Sequence, residues 1–264
     1  MPRRARKPGW RGEPAPGTPT DRRSAARTGR TPESDDGSRA RQTQGESTPA
    51  GPVVIAAPKG RLLEQLEPLL TRGGFDASVL TRRGRHLVRD DAARGLRWLL
   101  LKPDDVPTYV EYGAADLGVV GRDVLLEREH DVYAPLDLGI GRCRMVVAGL
   151  PRAPYRPGHP ADRTLRVGTK FPTTASRHFM GKGHPVEVIY LTGSVELAPL
   201  AGLADVIVDL VESGETLRQN GLVEVETICD VSAVVVANRV GLKLKREAMV
   251  PILEALRRAA RQDR

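Results

Sequence analysis

"ADVIVDLVESGETLRQNGL", residues 204–222, begins as a β-branched apolar run, meets an acid at Asp209, and then sets Ser213, Gly214 and Thr216 ahead of a helical pattern. An apolar strand that passes through small polar residues straight into a helix is the repeating unit of an α/β fold. At such a junction the carboxyl end of the strand meets the amino end of the helix, where free N–H groups favour an anion. Gly214 lets the backbone approach a ligand closely, Ser213 and Thr216 add hydroxyl donors, and Asp209 is placed to meet a ribose hydroxyl or a hydrated Mg²⁺. Taken alone, a Ser-Gly-x-Thr turn is an N-cap about twice as often as a phosphate site, so both readings stand at this point.

The same alternation recurs outward from this stretch. Apolar runs at residues 53–57, 96–102, 115–121, 144–149, 165–170, 186–191, 204–210 and 231–238 read as strands. Helical patterns separate most of them, such as residues 61–70 with leucines at 62, 63, 66, 69 and 70, and residues 104–113 with Asp105 as N-cap ahead of Pro107. This predicts an α/β protein with largely parallel sheets. The four prolines of "PRAPYRPGHP" (151–160) mark an exposed connector, and residues 246–262 read as one closing helix with Pro251 near its first turn.

Residues 1–51 contain no Val, Ile, Leu or Phe, so they lack the apolar surface that offsets the entropy of ordering and read as a disordered basic tail. Eleven Lys and Arg against six Asp and Glu place +5 of the chain's +8 net charge in that tail, so the basic balance belongs mostly to it. With Trp10 as its only aromatic ring, the tail lacks a base-stacking surface, which argues against a nucleic-acid partner. No apolar stretch approaches the length of a membrane span, and no leader pattern follows Met1, so no membrane partner and a cytoplasmic location are expected. Cys143 and Cys229 are too few for a disulfide framework or a zinc site, and the five histidines have neither metal-ligand spacing nor a triad setting.

The order Asp209, three residues, Ser213, Gly214, any residue, Thr216, Leu217 resembles the phosphoribosyl-pyrophosphate (PRPP) loop of phosphoribosyltransferases. Many of those enzymes carry two adjacent acids before the loop. Here position 208 is Val, which points away from the nucleobase-salvage type. Taken with "IAAPKGRLLE" (55–64), "DVPTYVEYGAADLGVVGRDVL" (105–125), "RVGTKFP" (166–172), "GSVELAPLAGLADVIVDLVESGETLRQNGL" (193–222) and "ICDVSAVVVAN" (228–238), the chain resembles the ATP phosphoribosyltransferase family, in the family's order and over nearly all of residues 53–260.

That resemblance implies a two-lobed α/β fold like that of a periplasmic binding protein, with the active site in the inter-lobe cleft. Lobe one is expected at residues 52–138 plus 228–264, and lobe two at 139–227. The PRPP side would comprise Asp209, Glu212, Ser213, Gly214, Glu215, Thr216 and Leu217, with backbone amides on the 5′-phosphate and Asp209 on the ribose. The side chains of Glu212 and Glu215, awkward beside a phosphate, are expected to face solvent. Lys170, Glu196 and Asp205 are further candidates on this side, with an exposed strand-end lysine, a first-turn helix acid and a strand-start residue as their respective alternatives. Lys59, Gly60 and Arg61 of the "KGRL" turn, together with Arg85 of "GRHLV", would face the ATP and the departing pyrophosphate, for which a guanidinium is suited. Arg82, Arg83 and Arg89 crowd the same stretch as Arg85, so a solvated basic turn remains its alternative. Asp116 and Asp123 would line the ATP side, and turn or N-cap roles explain them equally well.

The implied reaction joins N1 of ATP to C1′ of PRPP and expels pyrophosphate, the first step of histidine biosynthesis. It needs Mg²⁺, carried mainly by the substrates, and no general base. Only 25 residues follow Arg239, too few for the regulatory domain of longer family members. The resemblance is therefore to the short form, which implies a dimer within a hetero-oligomer and a regulatory partner similar to histidyl-tRNA synthetase. A non-catalytic two-lobed binding protein is the alternative, and it gives no reason for the loop at residues 209–217.

Overall fold

The run VVIAAP forms β1 (Val53–Pro58), buried on both sides as the middle of a parallel set should be. The structure is a computed structural model, and it describes residues 51–82, 84–159 and 163–262. The expected tail thus lies, apart from Gly51, outside the described residues, as do Arg83 and Pro160.

Strands β2 (Val88–Asp91), β3 (Leu96–Leu101), β4 (Leu117–Gly121) and β5 (Tyr133–Asp137) follow β1 in the chain, then β6 (Cys143–Gly149), β7 (Leu165–Thr169), β8 (Val186–Tyr190), β9 (Val206–Val211), β10 (Val223–Val231) and β11 (Ala233–Ala237). They build two sheets, in the orders β2-β3-β1-β4-β11-β5 and β10-β6-β9-β7-β8. The chain crosses from the first sheet to the second after β5 and returns at Ser232. The expected return at residue 228 falls inside β10, whose ladder with β6 continues to Val231 opposite Cys143, so the crossing lies later than the sequence implied. Two register shifts in that ladder break the alternation that would have marked β10 as one strand.

The expectation of largely parallel sheets is also corrected. β3, β1 and β4 run parallel, as do β9, β7 and β8. The strands flanking each crossing, β5, β6, β10 and β11, run antiparallel to their neighbours, and so does the charged edge strand β2. A chain that leaves one sheet and re-enters it must bring some strands in from the opposite end.

Helices cover both faces of each sheet. On one face of the first sheet, helix Arg61–Arg72 buries Leu66, Leu69 and Leu70 beside helix Arg246–Arg261, whose Met249, Ile252, Leu253 and Leu256 follow the helical period. The other face takes Val106 and Val110 from helix Val106–Glu111. A Cβ on Gly118 would lie 2.7 Å from Val106 and 2.8 Å from Val110, so that helix reaches the sheet only because β4 carries a glycine there. The second sheet is covered by helix Pro172–Gly181, through Phe179 and Ala175, and on its other face by Ala198, Leu217 and Leu222. Among the described residues, no helix is long and apolar enough to cross a membrane.

Both parallel sets aim their carboxyl ends at the region between the sheets. β1 delivers Lys59 and Arg61 there, β3 Asp104, β4 Asp123, β7 Lys170, and β9 the turn at residues 212–214. Ligands of open α/β sheets bind at such ends.

Candidate active site

β9 leads through residues 212–214 into the short helix Glu215–Gln219, so the opening stretch is both a strand-to-helix turn and the wall of a cavity. Gly214 has φ +78°, in the left-handed region, where a side chain is strained. A Cβ there would also lie 3.2 Å from Oε1 of Glu224, a carboxylate held by Arg144 at 2.8 and 3.1 Å. The amide of Glu215 meets Oγ of Ser213 at 3.4 Å. Among the described residues, the amides of Gly214 and Thr216 have no protein acceptor.

The cavity beside this turn has a volume of about 230 Å³ and is lined by Arg61, Cys143, Glu196, Asp209 and residues 210–217. A second cavity of about 260 Å³ shares Arg61, Cys143 and Leu210 with it and adds Asp104, Asp123 and Lys170. A third, about 650 Å³, shares Cys143 and Glu212 with the first and carries Arg122, Arg142 and Arg144 beside the crossing segments. These spaces adjoin through shared lining residues, and their walls come from both sheets.

Among the described residues, two ion pairs at the cavities join the two sides. Arg61 reaches Glu212 at 2.5 Å, and Lys170 reaches Asp104 at 3.3 Å. Burial raises the carboxyl of Asp209 above the ordinary range, and the nearby charge of Glu196 pushes the same way, against the Leu210 amide and Lys170. Burial likewise raises Asp123, partly offset by backbone amides and by Lys170. The cleft therefore holds carboxylates that gain from a cation as well as cations that gain from an anion. Burial also pushes the Cys143 thiol up to about 11, which makes it an inert wall rather than a nucleophile.

Of the residues proposed from sequence, the cleft brings together Arg61, Asp123, Lys170, Glu196, Asp209, Glu212, Ser213, Gly214, Glu215, Thr216 and Leu217. Lys59 and Gly60 are exposed at the end of β1, next to Arg61. Arg85 lies exposed in the segment entering β2 and lines none of the three cavities. Glu212 is exposed, as expected, and from that position it also pairs with Arg61 across the cleft. Glu215 does turn outward, binding Arg218 and Gln219 on its own helix.

Two candidates sit elsewhere. Asp205 precedes β9 at the opposite end of the strand, accepting from the Arg166 amide at 2.8 Å and pairing with Arg163 at 2.8 Å. Although its burial works the other way, the hydrogen bonds from Arg163 and the Arg166 amide hold its carboxyl below the usual range. Asp116 precedes β4 and is buried, accepting from the Val54 amide and from Lys245, both at 2.8 Å. Both acids clamp the amino ends of strands, away from the cleft. The sequence missed Asp104, Cys143 and Glu127, which join or line the two sides. Asp104 carries a readable signal, a polar residue three positions after an apolar strand.

Residues 102–258 match the HisG family, described as ATP phosphoribosyltransferase. The ATP phosphoribosyltransferase of Sorangium cellulosum (strain So ce56) is 55% identical over 208 residues, covering 79% of this chain and 96% of that protein. That of Geobacter metallireducens is 47% identical over 205 residues, covering 77% and 96%. Among solved structures, the ATP phosphoribosyl transferase (HisG:HisZ) complex from Thermotoga maritima aligns with a TM-score of 0.68 at 37% identity, over 80% of this chain and 99% of that one. The periplasmic aliphatic sulphonate binding protein SsuA from Escherichia coli aligns with a TM-score of 0.52 at 14% identity, over 80% and 73%, a likeness of fold alone.

Proposed function

This chain belongs to the ATP phosphoribosyltransferase family, and we propose that its inter-sheet cleft transfers the phosphoribosyl group of PRPP to N1 of ATP, releasing pyrophosphate at the entry to histidine biosynthesis. The observation that carries this reading is one cavity joining the turn at residues 212–217 to Arg61 of the opposite sheet. Free amides at Gly214 and Thr216 suit the 5′-phosphate, and Asp209, deeper in the same wall, suits the ribose hydroxyls. Arg61 and Lys170 are placed to receive the pyrophosphate, exchanging their pairs with Glu212 and Asp104 for the stronger charge of the leaving group. Asp123 belongs to the ATP side, in the cavity that Arg61 also lines, with the exposed Lys59 and Gly60 immediately before Arg61 in the chain.

The N1–C1′ bond forms as the C1′–O bond to pyrophosphate breaks. N1 already has a lone pair, so no residue need remove a proton. What the chain supplies is alignment of two anionic substrates across a cleft and cations where charge develops. Mg²⁺ would neutralise part of the pyrophosphate charge when bound. Among the described residues, no group of three or more His, Cys, Asp or Glu could hold a metal. Asp209, whose pKa burial and the neighbouring Glu196 raise, fits together with Glu196 a site in which substrate oxygens provide the other ligands.

The Thermotoga maritima relative is a HisG:HisZ complex, which supports a hetero-oligomer of this chain with a second subunit; that this subunit is regulatory and resembles histidyl-tRNA synthetase, and that this chain enters as a dimer, are what the family resemblance implies. Incubation with ATP, PRPP and Mg²⁺ tests the activity through near-UV absorbance, because substitution at N1 alters the adenine chromophore. An unchanged spectrum with the regulatory partner present rejects it.

A further inference from the structure

Glu127 ends the helix Arg122–Glu127, where the unpaired carbonyls of a helix terminus disfavour a carboxylate. Its charge is compensated from the other sheet. Oε1 accepts from the Thr173 amide at 2.8 Å, and Oε2 accepts from the Thr174 amide at 3.0 Å and the Thr174 hydroxyl at 2.9 Å. Thr173 and Thr174 open helix Pro172–Gly181, whose first residue is proline and brings no N–H of its own. One carboxylate of the first sheet's layer therefore caps a helix of the second.

This contact differs from the other links across the cleft. Arg61 and Glu212 line the substrate cavity, and Lys170 and Asp104 line its neighbour, so anionic ligands compete for those cations. Arg177 and Glu129 stand 3.8 Å apart on the surface, 61% and 97% exposed, and solvent screening leaves such a pair little strength. Glu127 lines none of these cavities, and Thr174 beneath it is buried. Asp123 lies four residues earlier on the same helix and faces the cavity, while Lys170 lies three residues before Thr173 and faces Asp123. Whatever fixes Glu127 against Thr173 and Thr174 also fixes the spacing of Asp123 and Lys170.

We propose that Glu127 is a clasp that sets how far the two lobes close, a positioning residue that holds Lys170 at the cavity without touching substrate. Opening the cleft strips a charged acceptor from two amides and a hydroxyl, so the clasp biases the chain toward the closed arrangement before substrate arrives. The proposal rests on the phosphoribosyltransferase reading only for which ligand feels the change.

The test uses the full chain, wild type, Glu127→Ala and Glu127→Gln. Small-angle scattering without ligand reads the separation of the lobes, hydrogen exchange reads individual amides, and calorimetry reads affinity for inorganic pyrophosphate with Mg²⁺. Losing a capping carboxylate should cost about tenfold in closure and hence in pyrophosphate affinity. The expected result is a larger radius of gyration for Glu127→Ala, faster exchange at Thr173 and Thr174 and also across the cleft at residues 212–216, and a raised KM for PRPP with kcat changed less than twofold. Glu127→Gln, which keeps one acceptor oxygen, should fall between, and it decides the matter if the alanine variant fails to fold. Faster exchange confined to Thr173 and Thr174, with unchanged scattering and pyrophosphate affinity, would reduce Glu127 to a local cap and overturn the clasp. Scattering and exchange need no turnover, so a wild type inactive on ATP and PRPP would reject the functional reading and leave the clasp decided separately.

Discussion

Replacing Gly214 by alanine separates the turn's role as a ligand grip from its role in stability. At φ +78° the new side chain meets a left-handed backbone, which costs about 1–2 kcal/mol for a non-glycine residue. Its Cβ would also crowd Glu224 at 3.2 Å, and that carboxylate yields reluctantly because Arg144 holds both its oxygens. The sum is well below the roughly 5–15 kcal/mol that separates folded from unfolded chains, so the variant folds. Each kcal/mol should lower Tm by roughly 2–4 °C for a folded region of this size. The loop relieves its strain by rotating the amides of residues 213–216, and every charge-assisted bond to a phosphate lost this way removes about 1.5–3 kcal/mol. PRPP affinity should then fall tenfold to a hundredfold or so, a larger effect than the stability change. Calorimetric titration of PRPP beside a thermal unfolding curve reads both quantities. Gly214→Asn, a residue more tolerant of the left-handed region, should lie between wild type and alanine. A Gly214→Ala protein with lowered Tm and undiminished PRPP affinity would refute the assignment, because it would show the turn strained and the phosphate held elsewhere.

Further outcomes follow from the same geometry. Arg61→Ala should slow turnover by about a hundredfold while changing ATP affinity little, and steady-state kinetics showing the reverse pattern would remove Arg61 from the leaving-group role. Glu212→Gln, which releases Arg61 from its 2.5 Å pair, should tighten product inhibition by pyrophosphate; weaker inhibition would mean that Glu212 orients the arginine rather than competing for it. Burial and Glu196 raise the pKa of Asp209, so its charged form is disfavoured in the fold and the stability it contributes at low pH is lost as pH rises through that raised value. Asp209→Asn should therefore raise Tm at neutral pH, weaken PRPP binding, and flatten the acid limb of its pH dependence, which calorimetry across pH would reveal. Asp205 is the opposite case: its lowered pKa contributes stability above the ordinary carboxylate range that is lost as pH falls through the depressed value. Asp205→Ala should cost about 2 kcal/mol, through a stranded Arg166 amide, and leave KM for PRPP unchanged.

The contrast between Asp209 and Asp205 shows what could be read in advance. Asp205 precedes β9 and Asp209 lies near its carboxyl end, and a β-branched apolar run followed by small polar residues announces the strand and the turn at residues 212–214. Which end of the strand faces a ligand depends on where the other sheet stands, so the sequence places Asp205 with the site although it clamps the far end of the strand. Asp116 was misplaced for the same reason. β10 was missed because register shifts interrupt a pattern that strand recognition needs to be regular.

Local chemistry in the chain itself determined the strands of β-branched residues, the leucine-faced helices, the glycine that the turn at 214 requires, and the motif order that marks the family. These depend on neighbours within a few positions, and periodicity records them directly. Tertiary structure alone decided that Glu212 meets Arg61, that Lys170 meets Asp104, and that Glu127 caps a helix 46 and 47 residues away. Those contacts join residues of two sheets built from interleaved parts of the chain, and no local pattern carries the distance between surfaces that meet only after both sheets have formed.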